Sequence, residues 1–132
     1  MDSSVLLSAC GSGKSISRLI TEIATDRGWS LISASYCHAE TSKNIRKFGD
    51  EAALRWPEMQ SKVEWVPNAL TSTRPLLLTA SKDKPVLISA LAAKCTVLLT
   101  LDKADFEILL GTTVYGMRVS TPRDFLIGQG FG

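Results

Sequence analysis

Five scattered carboxylates could share one site, and two of them, Asp83 and Asp102, stand at junctions before helices. Asp2 precedes the run Ser3-Ser4-Val5-Leu6-Leu7. Glu40 lies inside a helical stretch. Asp83 opens an alanine-rich segment. Asp102 ends the apolar run Thr96 to Leu101, and Asp105 follows one turn later. In an open parallel sheet, ligands collect outside the carboxyl ends of the strands. Carboxylates converging there repel one another, and a hard divalent cation, Mg²⁺ or Mn²⁺, relieves that cost through oxygen ligands. Each acid also has a plainer role. Asp83 and Asp102 are placed as helix caps, and Glu40 can pair with Lys43 or Asn44 along its own helix.

A second candidate is a phosphate loop. Ser8-Ala9-Cys10-Gly11-Ser12-Gly13-Lys14-Ser15 matches the end of G-x-x-x-x-G-K-[ST], with Ser8 in place of the first glycine. In that reading Val5-Leu6-Leu7 is a strand, and Gly11 to Ser15 hold a nucleotide at a helix N-terminus. The plainer alternative is a glycine-hinged turn with Ser12 or Ser15 near a helix start.

Several elements are needed to position these groups. Ile16, Leu19, Ile20 and Ile23 share a helical face between Lys14 and Asp26, and Gly28 is placed to end that helix. Trp29 to Ile32 reads as a strand, and Ser35 to Phe48 as a helix capped by Ser35. Asp50 to Gln60 is a weaker helix strained by Pro57. Val63 to Val66 is a strand, and Asn68 to Ser81 is irregular. Asp83 to Lys94 is an apolar helix. Thr96 to Leu101 is a strand covered on both faces. Lys103 to Leu110 is helical, Val114 to Val119 is the last strand, and Pro122 to Leu126 closes the chain. Strands alternating with helices imply an α/β fold with a parallel sheet and right-handed crossovers.

Composition narrows the class. The 132 residues, 45% hydrophobic and 21% charged, suit one globular domain. A net charge of +2 excludes a strongly basic duplex-DNA binder but not a nucleic-acid enzyme with a local basic rim. The cysteines, Cys10, Cys37 and Cys95, form no C-x-x-C and no zinc pattern with the single His38. They read as small buried hydrophobes of a reducing, cytoplasmic compartment. His38 reads as a packed or exposed helix residue, not a general base. No signal peptide and no membrane span is expected.

In order along the chain, Met1-Asp2-Ser3-Ser4-Val5-Leu6-Leu7, Ser35 to Ile45 around Glu40, Lys82-Asp83-Lys84-Pro85-Val86-Leu87, Val97 to Phe106 around Thr100-Leu101-Asp102, and Ser120-Thr121-Pro122-Arg123-Asp124-Phe125-Leu126 resemble the motifs of PIN-domain ribonucleases. The resemblance spans residues 1–132 as a single domain. It implies a three-layer α/β/α sandwich around a small parallel sheet. The implied activity is a Mg²⁺- or Mn²⁺-dependent endoribonuclease that cleaves single-stranded RNA. Asp2, Glu40, Asp83 and Asp102 take the positions of the catalytic, metal-binding carboxylates. Asp105 matches an auxiliary acid, and Ser4 and Thr100 match supporting hydroxyls. In such a site the metal polarises the phosphate and acidifies a bound water. Lys43, Arg46, Lys47, Lys82, Lys84 and Lys103 flank the acids and could hold RNA phosphates, or simply form a solvated face. Many small PIN proteins are toxins of toxin–antitoxin pairs, so an antitoxin protein and a homodimer are the implied partners. The competing functions are a catalytically degenerate PIN-like interaction module and a nucleotide binder through Gly11 to Ser15.

The family has Asn where Ser4 stands, and a longer strand before its first Asp. Only Met1 precedes Asp2 here. The expectation is therefore that Met1 is internal to a longer natural protein with apolar strand residues upstream. As given, the domain should be destabilised, and Asp2 should be mobile instead of a fixed ligand.

Overall fold

The computed structural model describes residues 1–69, 84–107 and 109–131. The fold is mixed α/β. Helix α1 (Ser3–Gly11) is apolar on all sides, with Val5, Leu6, Ala9 and Cys10 buried, as befits a helix enclosed by others. Val5 to Leu7 are therefore helical, where a phosphate loop would have a strand. Helices α2 (Ile16–Arg27), α3 (Ser35–Asn44) and α4 (Asp50–Lys62) surround α1. Its carboxyl end is closed by charge: Arg18 donates to Ala9 O at 3.5 Å and Arg55 to Cys10 O at 2.9 Å, the sign that suits a helix C-terminus.

Strand β1 (Ile32–Ala34) pairs in parallel with β2 (Glu64–Val66). Strand β3 (Val97–Leu99) pairs in parallel with β5 (Met117–Ser120), which pairs antiparallel with β4 (Thr113–Val114). Met1 and Asp2 span the space between the two groups. The Met1 amino group donates to Ile32 O at 2.6 Å, Ser33 Oγ donates to Met1 O, and the Asp2 amide donates to Leu99 O at 3.0 Å. The order across the molecule is thus β2, β1, the Met1–Asp2 link, β3, β5, β4.

Several expectations are corrected. The stripe that α2 buries is Ser17, Ile20, Thr21 and Ala24, while Ile16 and Leu19 are exposed. The small residues let α2 lie close, and Thr21 satisfies its hydroxyl on Arg18 O. Ser35 is the first residue of α3 and not its cap; its hydroxyl donates to Val66 O. The helix expected up to Phe48 changes to a 3-10 turn over Ile45–Phe48. Pro57 does not interrupt α4. The strand expected over Val114 to Val119 is a hairpin, because Tyr115 (φ 47°) and Gly116 (φ 86°) reverse the chain. The helix expected over Lys103 to Leu110 is the short α6 (Lys103–Phe106). The remaining helices are α5 (Lys84–Ala92) and α7 (Pro122–Gly128), the latter capped by Thr121 Oγ1 accepting from the Asp124 amide. Among the described residues, no helix is long and apolar enough to cross a membrane.

Candidate active site

The candidate site lies where the parallel strands end. The chain turns from the link into α1 at Asp2, from β1 into α3 toward Glu40, and leaves β3 at Thr100 toward Asp102. Asp2 is buried, and three donors hold its carboxylate. Oδ1 accepts from the Ser3 amide at 2.8 Å, which makes Asp2 the N-cap of α1. Oδ2 accepts from Ser4 Oγ at 2.9 Å and Thr100 Oγ1 at 2.8 Å. Placing the charge at a helix N-terminus adds a favourable dipole interaction. Asp2 is therefore buried and hydrogen-bonded, where the expectation was of a terminal residue outside the site.

Ser4 does the orienting work expected of an Asn, and its oxygen also accepts from the Leu101 amide at 3.0 Å. Thr100, fully buried, accepts in turn from the Asp102 amide at 3.1 Å. One hydroxyl thus ties the first acid to the backbone of another. Glu40 is half-buried, and its Oε1 accepts from Ser3 Oγ at 2.6 Å, so it turns toward the start of α1. Asn44 instead donates to the Glu40 carbonyl.

Asp2, Glu40 and Asp102 line one cleft of about 140 Å³, with Ser3, Ser4, Leu7, Tyr36 and Val86. Ser3, Leu7, Tyr36 and Val86 were not picked out from the sequence as site residues. Ser3 links two acids, its amide donating to Asp2 and its hydroxyl to Glu40. Tyr36 lies four residues before Glu40, the spacing that puts two side chains on one helix face. Among the described residues, no three His, Cys, Asp or Glu side chains lie close enough together to form a metal-binding group. The chemistry of the donor set nevertheless suits a hard cation, since carboxylates and hydroxyls supply only oxygen and, among the described residues, no thiol or imidazole lines the cleft. Asp83 and Lys82 lie outside the described residues, as do the side chains of Lys84 and Asp105.

The expected RNA-binding residues are dispersed. Lys43, Arg46 and Lys47 are exposed, and none of them lines the acid cleft. Lys103 is exposed and borders a separate hollow of about 490 Å³ with Leu101, Thr121 and Arg123. His38 is a packed helix residue: its ring sits edge-on to Trp65 at 4.8 Å and its Nε2 meets Gln60 Oε1 at 2.9 Å. Lys14 is exposed in a turn in which its amide donates to Ser12 Oγ and the Ser15 amide to Ser12 O, and Ser15 caps α2 by accepting from the Arg18 amide.

Burial raises the Cys10, Cys37 and Cys95 thiol pKa values above their ordinary value, and for Cys37 the nearby Asp2 charge adds to the shift. Burial also lowers the pKa of the Met1 amino group. No protein-family model, no curated protein and no solved structure matches this chain.

Proposed function

We propose that the chain is a metal-dependent endoribonuclease that cleaves single-stranded RNA, folded as a three-layer α/β/α sandwich of PIN-domain type. The observation that supports this reading is the cleft that Asp2, Glu40 and Asp102 all line at the carboxyl ends of the parallel strands. Asp2, Glu40 and Asp102, with Asp83 as a fourth acid, would hold Mg²⁺ or Mn²⁺. A hard divalent ion bound there neutralises charge on a scissile phosphate and makes a bound water more acidic. The chain's own residues prepare that site. Ser4 and Thr100 fix the direction of Asp2, Ser3 keeps Glu40 turned inward, and Leu7 and Val86 give the cleft apolar walls. Lys103 would hold RNA phosphate beside the cleft. A place as the toxin of a toxin–antitoxin pair, with an antitoxin partner and a homodimeric state, belongs to the same reading.

The test is cleavage of a fluorogenic single-stranded RNA with Mn²⁺ or Mg²⁺ and with EDTA. Asp2→Asn, Glu40→Gln and Asp102→Asn should each lower the metal-dependent rate about a hundredfold or more, the scale of losing one preorganised charged group. Cleavage that survives EDTA and all three substitutions would overturn the reading. A second reading, a PIN-like module that binds a partner without catalysis, is favoured by the absence of a three-ligand group among the described residues. It predicts neither cleavage nor stabilisation by Mn²⁺.

A further inference from the structure

We infer that the hollow beside the acid cleft is a nucleotide subsite. Lys103 and Arg123 hold the phosphate of the RNA residue next to the cleavage point, Ile16 and Leu101 face its base, and Ser17 meets one of its oxygens. The identity of this ligand rests on the nuclease reading.

The hollow continues the cleft. Asp102 lines the acid cleft, while its neighbours Leu101 and Lys103 line the hollow. On α1, Ser4 lines the cleft and Ser8, one helical turn later, lines the hollow. Ser4 Oγ accepts from the Leu101 amide at 3.0 Å, which joins α1 to the segment around Asp102 at the boundary between the two recesses. An RNA strand crossing the cleft therefore meets the hollow next. At about 490 Å³ the hollow falls within the range of small-molecule sites, about 300–1,000 Å³.

Its walls have the chemistry of a nucleotide site. Among the described residues, the charged groups lining it are Lys103, Arg123 and Asp124, two positive to one negative. Lys103 and Arg123 are exposed, and among the described residues neither side chain has an ion-pair or hydrogen-bond partner. Both are free to meet a phosphate, and Arg123 can do so with two parallel N–H donors. Ile16 and Leu101 are exposed beside them and offer an aliphatic face to an unstacked base.

Ser17 points to a ligand independently of the charges. It lines the hollow, is only 2% exposed, and its hydroxyl has no hydrogen-bond partner among the described residues. A buried hydroxyl without a partner costs its full desolvation. A ribose or phosphate oxygen entering the hollow supplies the missing bond. RNA thus answers all three features of the wall at once, whereas an acidic peptide answers only the cations.

Binding of a fluorescein-labelled single-stranded oligouridylate is followed by anisotropy in EDTA over a range of salt concentrations. KM and kcat for RNA cleavage are measured separately with Mn²⁺. Arg123→Ala and Lys103→Ala should each weaken binding and flatten the slope of log affinity against log salt by about 0.7, the value for one phosphate contact on a single strand. Asp124→Asn should tighten binding. Lys62→Ala removes an exposed cation of α4 that lines neither recess, and should leave the slope unchanged. Ser17→Ala should weaken binding about two- to tenfold, the equivalent of one hydrogen bond, while the urea midpoint holds or rises. A Ser17 with a structural role alone would move stability and leave binding untouched. In the cleavage assay Arg123→Ala should raise KM and leave kcat largely unchanged. Salt slopes for Arg123→Ala and Lys103→Ala equal to that of the parent would overturn the subsite. So would a parent chain that binds no RNA, or competition by polyglutamate as strong as by unlabelled RNA, which would mark the hollow as the seat of an acidic protein segment. The nuclease reading fails separately. The full binding pattern without any cleavage would support the nucleotide site and overturn that reading, whereas metal-dependent cleavage with an unchanged KM in Arg123→Ala would support that reading and overturn the subsite.

Discussion

The Asp2 carboxylate both caps α1 and faces the cleft, and these two roles separate by substitution. Asn caps a helix as well as Asp. In Asp2→Asn the amide oxygen keeps the Ser3 bond, and the Ser4 and Thr100 hydroxyls rotate to accept from the new NH₂ group. Stability by urea denaturation should stay within about 1 kcal/mol of the parent, while metal-dependent cleavage is lost. Thr100→Val reverses the pattern in stability. It removes a buried bond to a charged acceptor and the partner of the Asp102 amide, and should cost about 1.5–3 kcal/mol. Equal stabilities of the two variants would contradict this account of the hydrogen bonds. Asp2 and Asp102 were legible because each sits where extended chain turns into a helix. Ser3 was not, since one serine beside another carries no signal until the fold brings Glu40 over it.

At the scale of elements, helix existence was legible and helix ends were less so. Gly28 and Gly49 mark their boundaries through positive φ, and Thr121-Pro122 opens α7. The hairpin between β4 and β5 was hidden because its turn uses Tyr115 at φ 47°, a conformation that β-turn signals assign to Asn or Gly. The Gly11 to Ser15 segment shows tertiary packing overriding a motif. Val5 to Leu7 have the composition of a strand, yet burial on every side makes them a helix. Ser15 then caps α2 by accepting from the Arg18 amide and ties it to α1 by donating to Ser8 O. Ser15→Ala should cost about 1 kcal/mol in urea denaturation, as for a lost N-cap. Lys14→Ala, at an exposed position, should change stability by less than about 0.5 kcal/mol. ATP with Mg²⁺ should shift neither midpoint. A shift that Lys14→Ala abolishes would restore the nucleotide-binding alternative.

At the scale of the whole molecule, alternation of strands and helices was enough to anticipate a mixed α/β chain, but not the antiparallel β4 or the order of its strands. That order rests on two residues, Met1 and Asp2, whose bonds bring β1 and β3 into register. The core that results has a titratable lining. Cys10 and Cys37 are buried and Cys95 is half-buried, and burial raises each thiol above its ordinary value of 9.0. For Cys10 the nearby Arg18 and Arg55 offset part of that shift. The sign follows from proton counting. Above pH 9.0 the unfolded chain loses its thiol protons while the folded chain keeps them, so the folded state binds more protons and stability falls as pH rises. The limiting slope is about 1.4 kcal/mol per pH unit for each thiol inside its window. Below pH 9.0 both states hold the protons, and the thiols contribute no pH dependence. Urea midpoints measured under reducing conditions should therefore decline between pH 9 and pH 10. Cys10→Ala and Cys95→Ala should each flatten the decline, with the loss of Cys10 volume adding a pH-independent decrease. A profile that stays level through pH 10, or that declines equally after both cysteines are removed, would show that these thiols are no more protected in the folded chain than in the unfolded one.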